Sequence, residues 1–222
     1  MQALTPLIGK EDMAEIERLL RAGLAGEVKV ALFTSQAGCP YCPETRQLLE
    51  EVASVSDKVV LEVLDREKDG ARAKAMAVEF SPTTVIVSSN GAMLHYVGMP
   101  AGRQLRSLVE DLVDASRGRT EMDKETRDTI ASVSSPTVIK VFVTPVCPYS
   151  PLVVRSAHRF AIENPMVSAF MIETVEFPDI AGEYGVVGVP RTVINERVRF
   201  DGAPEERAFA RKVLEASKQG SA

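Results

Sequence analysis

The sequence has no long apolar runs, no basic clusters and no glycine-rich phosphate loops. None of its apolar segments approaches the roughly 18 to 20 residues that a membrane-spanning helix needs. Its 222 residues carry a net charge of −5, which argues against non-specific binding of nucleic acid. Because it also lacks a nicotinamide or flavin fingerprint, we expect no cofactor, and electrons must come from another protein or a small thiol.

Cysteine is scarce as well, with three residues in the whole chain. The segment 1–6 shows no basic region followed by an apolar stretch, so no secretory signal is expected and the protein is predicted to be cytoplasmic. In that compartment, three cysteines indicate catalysis or metal binding rather than a structural disulfide framework. The length suits one large domain or two of about 110 residues.

Two of the cysteines belong to a Cys-Pro-Tyr-Cys motif at residues 39–42, placed between an apolar strand and a helix. Two cysteines separated by two residues at such a junction are typical of a dithiol–disulfide enzyme. A near-copy, Cys-Pro-Tyr-Ser, occupies residues 147–150 and has a serine in place of the second cysteine. The sequence therefore predicts one complete redox pair and one site without a resolving thiol.

The two motifs belong to an internal duplication. Cys39 and Cys147 lie 108 positions apart, and Pro82 and Pro190, each opening an apolar strand, have the same separation. A period of this size corresponds to a domain rather than to a solenoid repeat. We therefore expect two units, residues 1–118 and 119–222, with the boundary in the polar segment 116–120.

Each half shows the same series of elements: a helix, a buried strand, the cysteine motif with its helix, a strand, a short helix, a hairpin and a final helix. This order predicts an α/β fold in which each unit has a mixed central sheet with helices on both faces. The predicted helices span residues 10–24, 43–54, 70–79, 102–116, 123–132, 151–163, 180–184 and 204–217. The predicted strands outside the hairpins span residues 28–34, 59–64, 138–144 and 167–175.

The chemistry of the first motif requires a thiolate. A helix N-terminus next to Cys39 stabilises the anion through unpaired N–H groups and the helix dipole. Cys39 is then the nucleophile, and Cys42, one helical turn deeper, resolves the mixed disulfide. Cys147 has the same setting, but Ser150 cannot resolve an adduct. Monothiol turnover with a small thiol, trapping of substrates and a vestigial site all remain open for Cys147.

A zinc half-site is the main alternative for Cys39 and Cys42. Zinc needs about four ligands, and the other nitrogen or sulfur donors are Cys147, His95 and His158, of which neither histidine has paired ligand spacing with a cysteine. We therefore expect no metal site and interpret both histidines as packed or surface residues.

Other polar and sulfur-containing residues have simple interpretations. Asp65 at a strand end is interpreted as a turn residue. Arg191 either favours acidic substrates near the second motif or is a solvated surface residue. The segment 98–102 is expected to form a turn before a helix. Four methionines are expected in the core: Met93, Met99, Met166 and Met171.

With these residues in hand, and with the stretch 141–164, the chain resembles the protein disulfide oxidoreductases of hyperthermophilic archaea and bacteria. These are glutaredoxin-like proteins with two tandem thioredoxin-fold units, and the resemblance covers nearly the whole chain. The family normally has a complete dithiol in its second unit, so Ser150 departs from its pattern. The resemblance implies reduction, oxidation or isomerisation of protein disulfides, with a thioredoxin-reductase-like flavoprotein and a peroxiredoxin as partners.

The resemblance also implies a substrate groove. Thioredoxin-like folds place a cis-proline beside the cysteine motif, and the backbone of the preceding residue pairs with an extended substrate strand. The candidate catalytic residues are Cys39, Cys42 and Cys147. The candidate motif and groove residues are Pro40, Tyr41, Ser81, Pro82, Pro148, Tyr149, Ser150, Val189 and Pro190.

Two other functions fit the same residues. One is a dedicated electron carrier for a peroxiredoxin, which would ignore insulin-like substrates. The other is a peptide-binding or chaperone module that uses the peptide groove of the fold. A pure binding module needs no thiol at Cys42, so this alternative suits the second half better than the first.

Overall fold

The structure is a computed structural model and describes residues 5–219, so most of the segment on which the absence of a secretory signal was predicted lies outside the described residues. The helices are α1 (Lys10–Gly23), α2 (Cys42–Ala53), α3 (Gly70–Ala75), α4 (Arg103–Arg117), α5 (Lys124–Ala131), α6 (Ser150–Glu163), α7 (Pro178–Glu183) and α8 (Glu206–Lys218). The strands are β1 (Val28–Thr34), β2 (Val59–Asp65), β3 (Thr83–Val87), β4 (Met93–Val97), β5 (Thr137–Val143), β6 (Val167–Glu173), β7 (Arg191–Ile194) and β8 (Val198–Asp201). Within the described range, no helix combines the length and apolar character needed to cross a membrane.

All eight strands form one mixed sheet in the order β2-β1-β3-β4-β6-β5-β7-β8. Strands β3 and β7 run opposite to the other six. The two halves meet where β4 pairs with β6 in parallel, from Leu94 opposite Ala169 to Val97 opposite Ile172. The expected α/β fold with a mixed sheet is confirmed. Its continuity across the two halves is an additional finding.

Successive side chains of a strand point to opposite faces of the sheet, so the buried apolar residues form clusters on both faces. Val30 and Leu32 of β1 belong to a large cluster that includes residues of α1, α2, α4, α5, α6 and α8. Ala31 and Phe33 point to the opposite face, where the short helix α3 packs, and α7 packs on the same face of the second half. One face is therefore covered by six helices and the other by two short ones.

Helix α3 is shorter than predicted, ending at Ala75 rather than near residue 79. Ala77 has φ 51°, and the N–H groups of Ala77 and Val78 donate to Lys74 O (3.2 Å) and Ala73 O (2.8 Å). These are the two bonds of a Schellman motif, which ends a helix with one left-handed residue. The sequence pattern concealed this ending because the left-handed position holds alanine instead of glycine.

A buried ionic network joins the halves on the six-helix face. The Asp111 carboxylate on α4 accepts hydrogen bonds from the Tyr96 hydroxyl, the Arg155 guanidinium and His158 Nδ1, the last at 2.5 Å. Arg155 also pairs with Asp114 at 2.6 Å. Burial alone would raise the pKa of Asp111, but Arg155 and His158 hold it below its ordinary value. His158 is thus a packed residue, as expected, and its partner comes from the other half.

Candidate active site

The first cysteine motif lies between β1 and α2, at the carboxyl end of β1. Cys39 and Cys42 are joined by a disulfide, with their Cα atoms 5.4 Å apart. Cys42 is the first residue of α2 and is 6% exposed, whereas Cys39 is half-buried and Tyr41 is exposed. Cys39 is therefore the more accessible cysteine of the pair, and Cys42 is the buried one.

Local hydrogen bonds hold this motif in place. The Cys42 N–H donates to Cys39 O at 3.3 Å, and Thr45 donates to Tyr41 O through both its N–H (2.9 Å) and its hydroxyl (2.7 Å). Pro43 lies in the first turn of α2, where a missing N–H leaves no helical bond unmade. The turn that carries Cys39 is thereby held by backbone hydrogen bonds and by the side chain of the buried Thr45.

The second motif has the same position between β5 and α6, but its thiol is more recessed. Cys147 is 9% exposed, and its Sγ donates to Val189 O at 3.5 Å. Burial would raise the pKa of Cys147, but the hydroxyl of Ser150 and the N–H groups of Tyr149 and Ser150 lower it below its ordinary value. The Ser150 hydroxyl is fully buried and has no other hydrogen-bond partner among residues 5–219.

The two expected cis-prolines are confirmed, at the bonds Ser81–Pro82 and Val189–Pro190. Both prolines immediately precede strands antiparallel to β1 or β5, so both lie at the edge of the sheet that carries the cysteine motifs. Their carbonyls accept the N–H of Gly98 and Gly202, each at 2.9 Å. Ser81 and Val189, the residues before the two prolines, are partly exposed.

Both motifs face the same edge of the sheet, because β1 and β5 run in the same direction. They are four strand positions apart in the sheet order. At roughly 4.8 Å per strand, this separation is about 19 Å. A disulfide needs sulfur atoms about 2 Å apart, so neither site can exchange directly with the other in this arrangement.

Two glutamates lie between the sites at the carboxyl end of β6. Glu173 is almost fully buried, and Glu176 Oε1 accepts the N–H of Met99 at 2.7 Å. Burial raises the pKa of Glu176, the Met99 bond offsets part of this, and the charge of Glu173 adds to it, which gives a pKa of about 7. Gly98 (φ 95°) packs against this pair, and a Cβ there would lie 2.7 Å from Glu173 Cβ.

Replacing Glu176 by glutamine should remove one pH dependence of stability. Between the ordinary pKa of 4.5 and about 7, the folded chain holds a proton on Glu176 that the unfolded chain has lost. The contribution of Glu176 to the free energy of unfolding therefore falls as the pH rises through that range. Glu176→Gln should exceed the parent in free energy of unfolding by about 1 kcal/mol at pH 8, after allowance for solvent screening, and match it near pH 4.5. Urea titrations across pH would measure this, with exposed Glu27→Gln as control; parallel curves would contradict it.

The remaining candidates have structural positions. His95 is buried, stacks on Phe170 with ring centroids 4.2 Å apart, and bonds Met76 O at 2.8 Å through Nε2. Arg191 forms an ion pair with Asp201, with 3.2 Å between Nη1 and Oδ1, so it is not an unpaired surface residue. A preference for acidic substrates stays a prediction.

Asp65 accepts the N–H groups of Glu67 and Lys68 at 3.1 Å and 3.0 Å, which confirms it as a turn residue. Met171 is buried as expected, but the core assignment of Met166 is wrong, because this residue lies just before β6 and is 38% exposed.

Among residues 5–219, no group of three histidine, cysteine or acidic side chains is placed to hold a metal ion.

Comparisons with known proteins identify proteins of similar sequence and similar fold. The thioredoxin domain family matches residues 137–215. A thioredoxin of Methanocaldococcus jannaschii is 38% identical over 76 residues, which cover 34% of this chain and 89% of that protein. A protein disulfide oxidoreductase from Aeropyrum pernix superimposes with a TM-score of 0.88 at 30% identity, covering 98% of this chain and 96% of that chain.

A further structure shares the fold across both halves. The alkylhydroperoxide reductase AhpF from Enterococcus faecalis gives a TM-score of 0.86 at 22% identity, with 93% of this chain and 99% of that chain covered. At that identity the likeness concerns the fold alone. The match to the Aeropyrum protein extends over the whole chain, and the structure places a closed dithiol pair at a helix N-terminus. The chain therefore belongs to the thioredoxin-fold protein disulfide oxidoreductases and is a thiol–disulfide oxidoreductase.

Proposed function

We propose that the protein exchanges disulfides with client polypeptides through Cys39 and Cys42 alone. The Cys39 thiolate attacks a client disulfide, forms a mixed disulfide and releases one client thiolate. The Cys42 thiolate then attacks Cys39 Sγ, which releases the second client thiolate and closes the Cys39–Cys42 disulfide. The reverse sequence oxidises a client dithiol. The observation that carries this assignment is the bond between a half-buried Cys39 and a buried Cys42.

The groove around this pair is proposed to guide an extended segment of the client. Tyr41 offers an exposed aromatic surface next to Pro40, and the partly exposed Ser81 offers its backbone just before Pro82. An added strand binds through main-chain hydrogen bonds, so this groove accepts many client sequences. Such tolerance suits reduction, oxidation and isomerisation of varied proteins better than a carrier with a single partner.

The second site is proposed to hold clients rather than to turn them over. Pro148 and Tyr149 are exposed around the recessed Cys147, and Val189 precedes the cis-bonded Pro190 beside it. The lowered pKa supports attack by Cys147, but a serine hydroxyl does not exchange with sulfur. With the Cys39 pair about 19 Å away by strand spacing, an adduct on Cys147 waits for an external thiol.

We also propose that the chain consists of two units, residues 1–118 and 119–222. Gly118 ends α4 with φ 64°, and the next helix begins at Lys124. Closing the catalytic cycle needs an external electron source, and by family resemblance we assign this role to a thioredoxin-reductase-like flavoprotein, with a peroxiredoxin among the clients.

The experiment that tests this proposal is replacement of Cys42 by serine. The variant should form the mixed disulfide on Cys39 and fail to resolve it, because no second thiol lies within reach. Incubation with disulfide-bonded insulin, followed by mass spectrometry without reductant, should show a covalent insulin-chain adduct on a peptide containing Cys39. The double variant Cys39→Ser/Cys42→Ser is the control and should lack that adduct. Release of insulin at the parent's rate by Cys42→Ser would overturn the resolving role.

A further inference from the structure

A cleft crosses the face of the sheet that carries α3 and α7. It has a volume of about 460 Å³ and lies between the segment that follows α3, residues 77–80, and helix α7, with one wall from each half of the chain. Its floor includes Val97, Phe170 and Ile172 from the paired strands β4 and β6, and its walls include Phe80 and Tyr184. This size and apolar lining are typical of a site that accepts a ligand or a few side chains.

The rims of this cleft carry unneutralised negative charge. Glu79 stands on the wall of the first half and Glu183 on the wall of the second; both are exposed, and neither carboxylate has an ion-pair partner within residues 5–219. Arg66 donates to the backbone carbonyl of Glu79 at 2.8 Å, but its charge is paired with Glu67 at 2.6 Å. The cation on the floor, Lys140, is already engaged by Glu196 at 2.6 Å and by the Tyr184 hydroxyl. An occupant would therefore meet a mainly apolar floor, on which the charge of Lys140 is already paired, between two exposed carboxylates.

The cleft borders the cis-proline of the first thiol site. Phe80 and Thr83 line it, and they flank the Ser81–Pro82 bond of the proposed substrate groove. Phe80 is 38% exposed and contacts Phe177 of the other half edge-on, with ring centroids 5.7 Å apart. A client segment that pairs with the Ser81 backbone and continues over Phe80 would reach the cleft.

We infer that this cleft binds a segment of the client polypeptide in which apolar side chains are flanked by lysine or arginine. Apolar side chains fill the floor, and the basic residues pair with Glu79 and Glu183. The inference rests on the proposed function in one respect, that the segment belongs to a client of the Cys39–Cys42 pair. It adds a preference that main-chain pairing in the groove cannot provide, since backbone hydrogen bonds do not discriminate between side chains.

Direct binding of a cysteine-free peptide tests this inference. A short peptide with one tryptophan and two leucines flanked by lysines is suitable, because the protein has no tryptophan and the fluorescence reports on the peptide alone. Glu79→Lys/Glu183→Lys should weaken binding by about tenfold or more. The control Glu27→Lys/Glu215→Lys makes the same change in net charge at exposed positions away from the cleft and should bind like the parent.

The outcomes are separable from the redox proposal, because the peptide has no sulfur to exchange and the parent can be replaced by Cys39→Ser. A peptide with aspartate in place of lysine should bind at least about tenfold more weakly than the lysine peptide. The milder double variant Glu79→Gln/Glu183→Gln should weaken binding by an intermediate factor. It keeps the inference testable if the charge-reversed protein does not fold. Equal binding by parent and charge-reversed protein, no binding up to millimolar peptide, or occupation of the cleft by a second copy of the chain would overturn the inference.

Discussion

Replacing Cys39 by serine should lower dithiothreitol-driven insulin reduction by more than about a hundredfold, because the variant loses the one cysteine of the three that is partly exposed and has a resolving partner. A hydroxyl cannot form the mixed disulfide, and Cys42 is too buried to replace Cys39 as the attacking group. Cys147 has a lowered pKa but is recessed and faces Ser150, so its adducts do not resolve within the chain.

The matched control for this experiment is Cys147→Ser, which should keep nearly the full rate. A gain-of-function variant sharpens the test: Ser150→Cys, introduced into Cys39→Ser, should restore part of the activity, since it supplies the missing resolving thiol next to Cys147. Initial rates of insulin precipitation measure all three proteins. Retention of more than about a tenth of the parent rate by Cys39→Ser would show that Cys147 turns over as a monothiol with dithiothreitol as its resolving thiol.

The site was largely predictable because its chemistry is local in sequence. The spacing of Cys39 and Cys42 and their junction between strand and helix define the redox pair without any long-range information. Pro82 and Pro190 were identified by a shared offset from the cysteines, and their cis bonds followed from the family resemblance. What the motif could not show is how differently the two attacking cysteines are buried, since their flanking residues are nearly the same.

The features that the sequence did not reveal depend on contacts between the halves. Parallel pairing of β4 with β6 leaves no pattern in either strand, because both are buried and apolar whichever strand is adjacent. The cleft arises from that pairing, which brings Phe80 of one half towards Phe177 of the other. The raised pKa of Glu176 is also invisible in the sequence, because it comes from burial and from the charge of Glu173, which together outweigh the hydrogen bond from Met99 of the other half.

The ionic network around Asp111 is hidden for the same reason. Asp111 lies on the helix α4, whose polar residues the sequence pattern would assign to the solvent. In the structure it is fully buried and is held by Tyr96 from its own half and by Arg155 and His158 from the other. Removal of one member of such a network leaves buried polar groups without partners, and this penalty exceeds what the intact network contributes.

Replacement of Asp111 by alanine should therefore lower the free energy of unfolding by about 3 to 5 kcal/mol, a large fraction of the stability of an ordinary domain. Arg155 keeps Asp114, but the Tyr96 hydroxyl and His158 Nδ1 lose their shared acceptor. Urea denaturation measures the change.

The control is Asp128→Ala, which removes an exposed ion pair with Lys124 and should cost less than about 1 kcal/mol. Equal losses for Asp111→Ala and Asp128→Ala would show that the network contributes no more than a surface pair. Because Asp111 joins α4 to α6, its loss also weakens the packing of one half against the other.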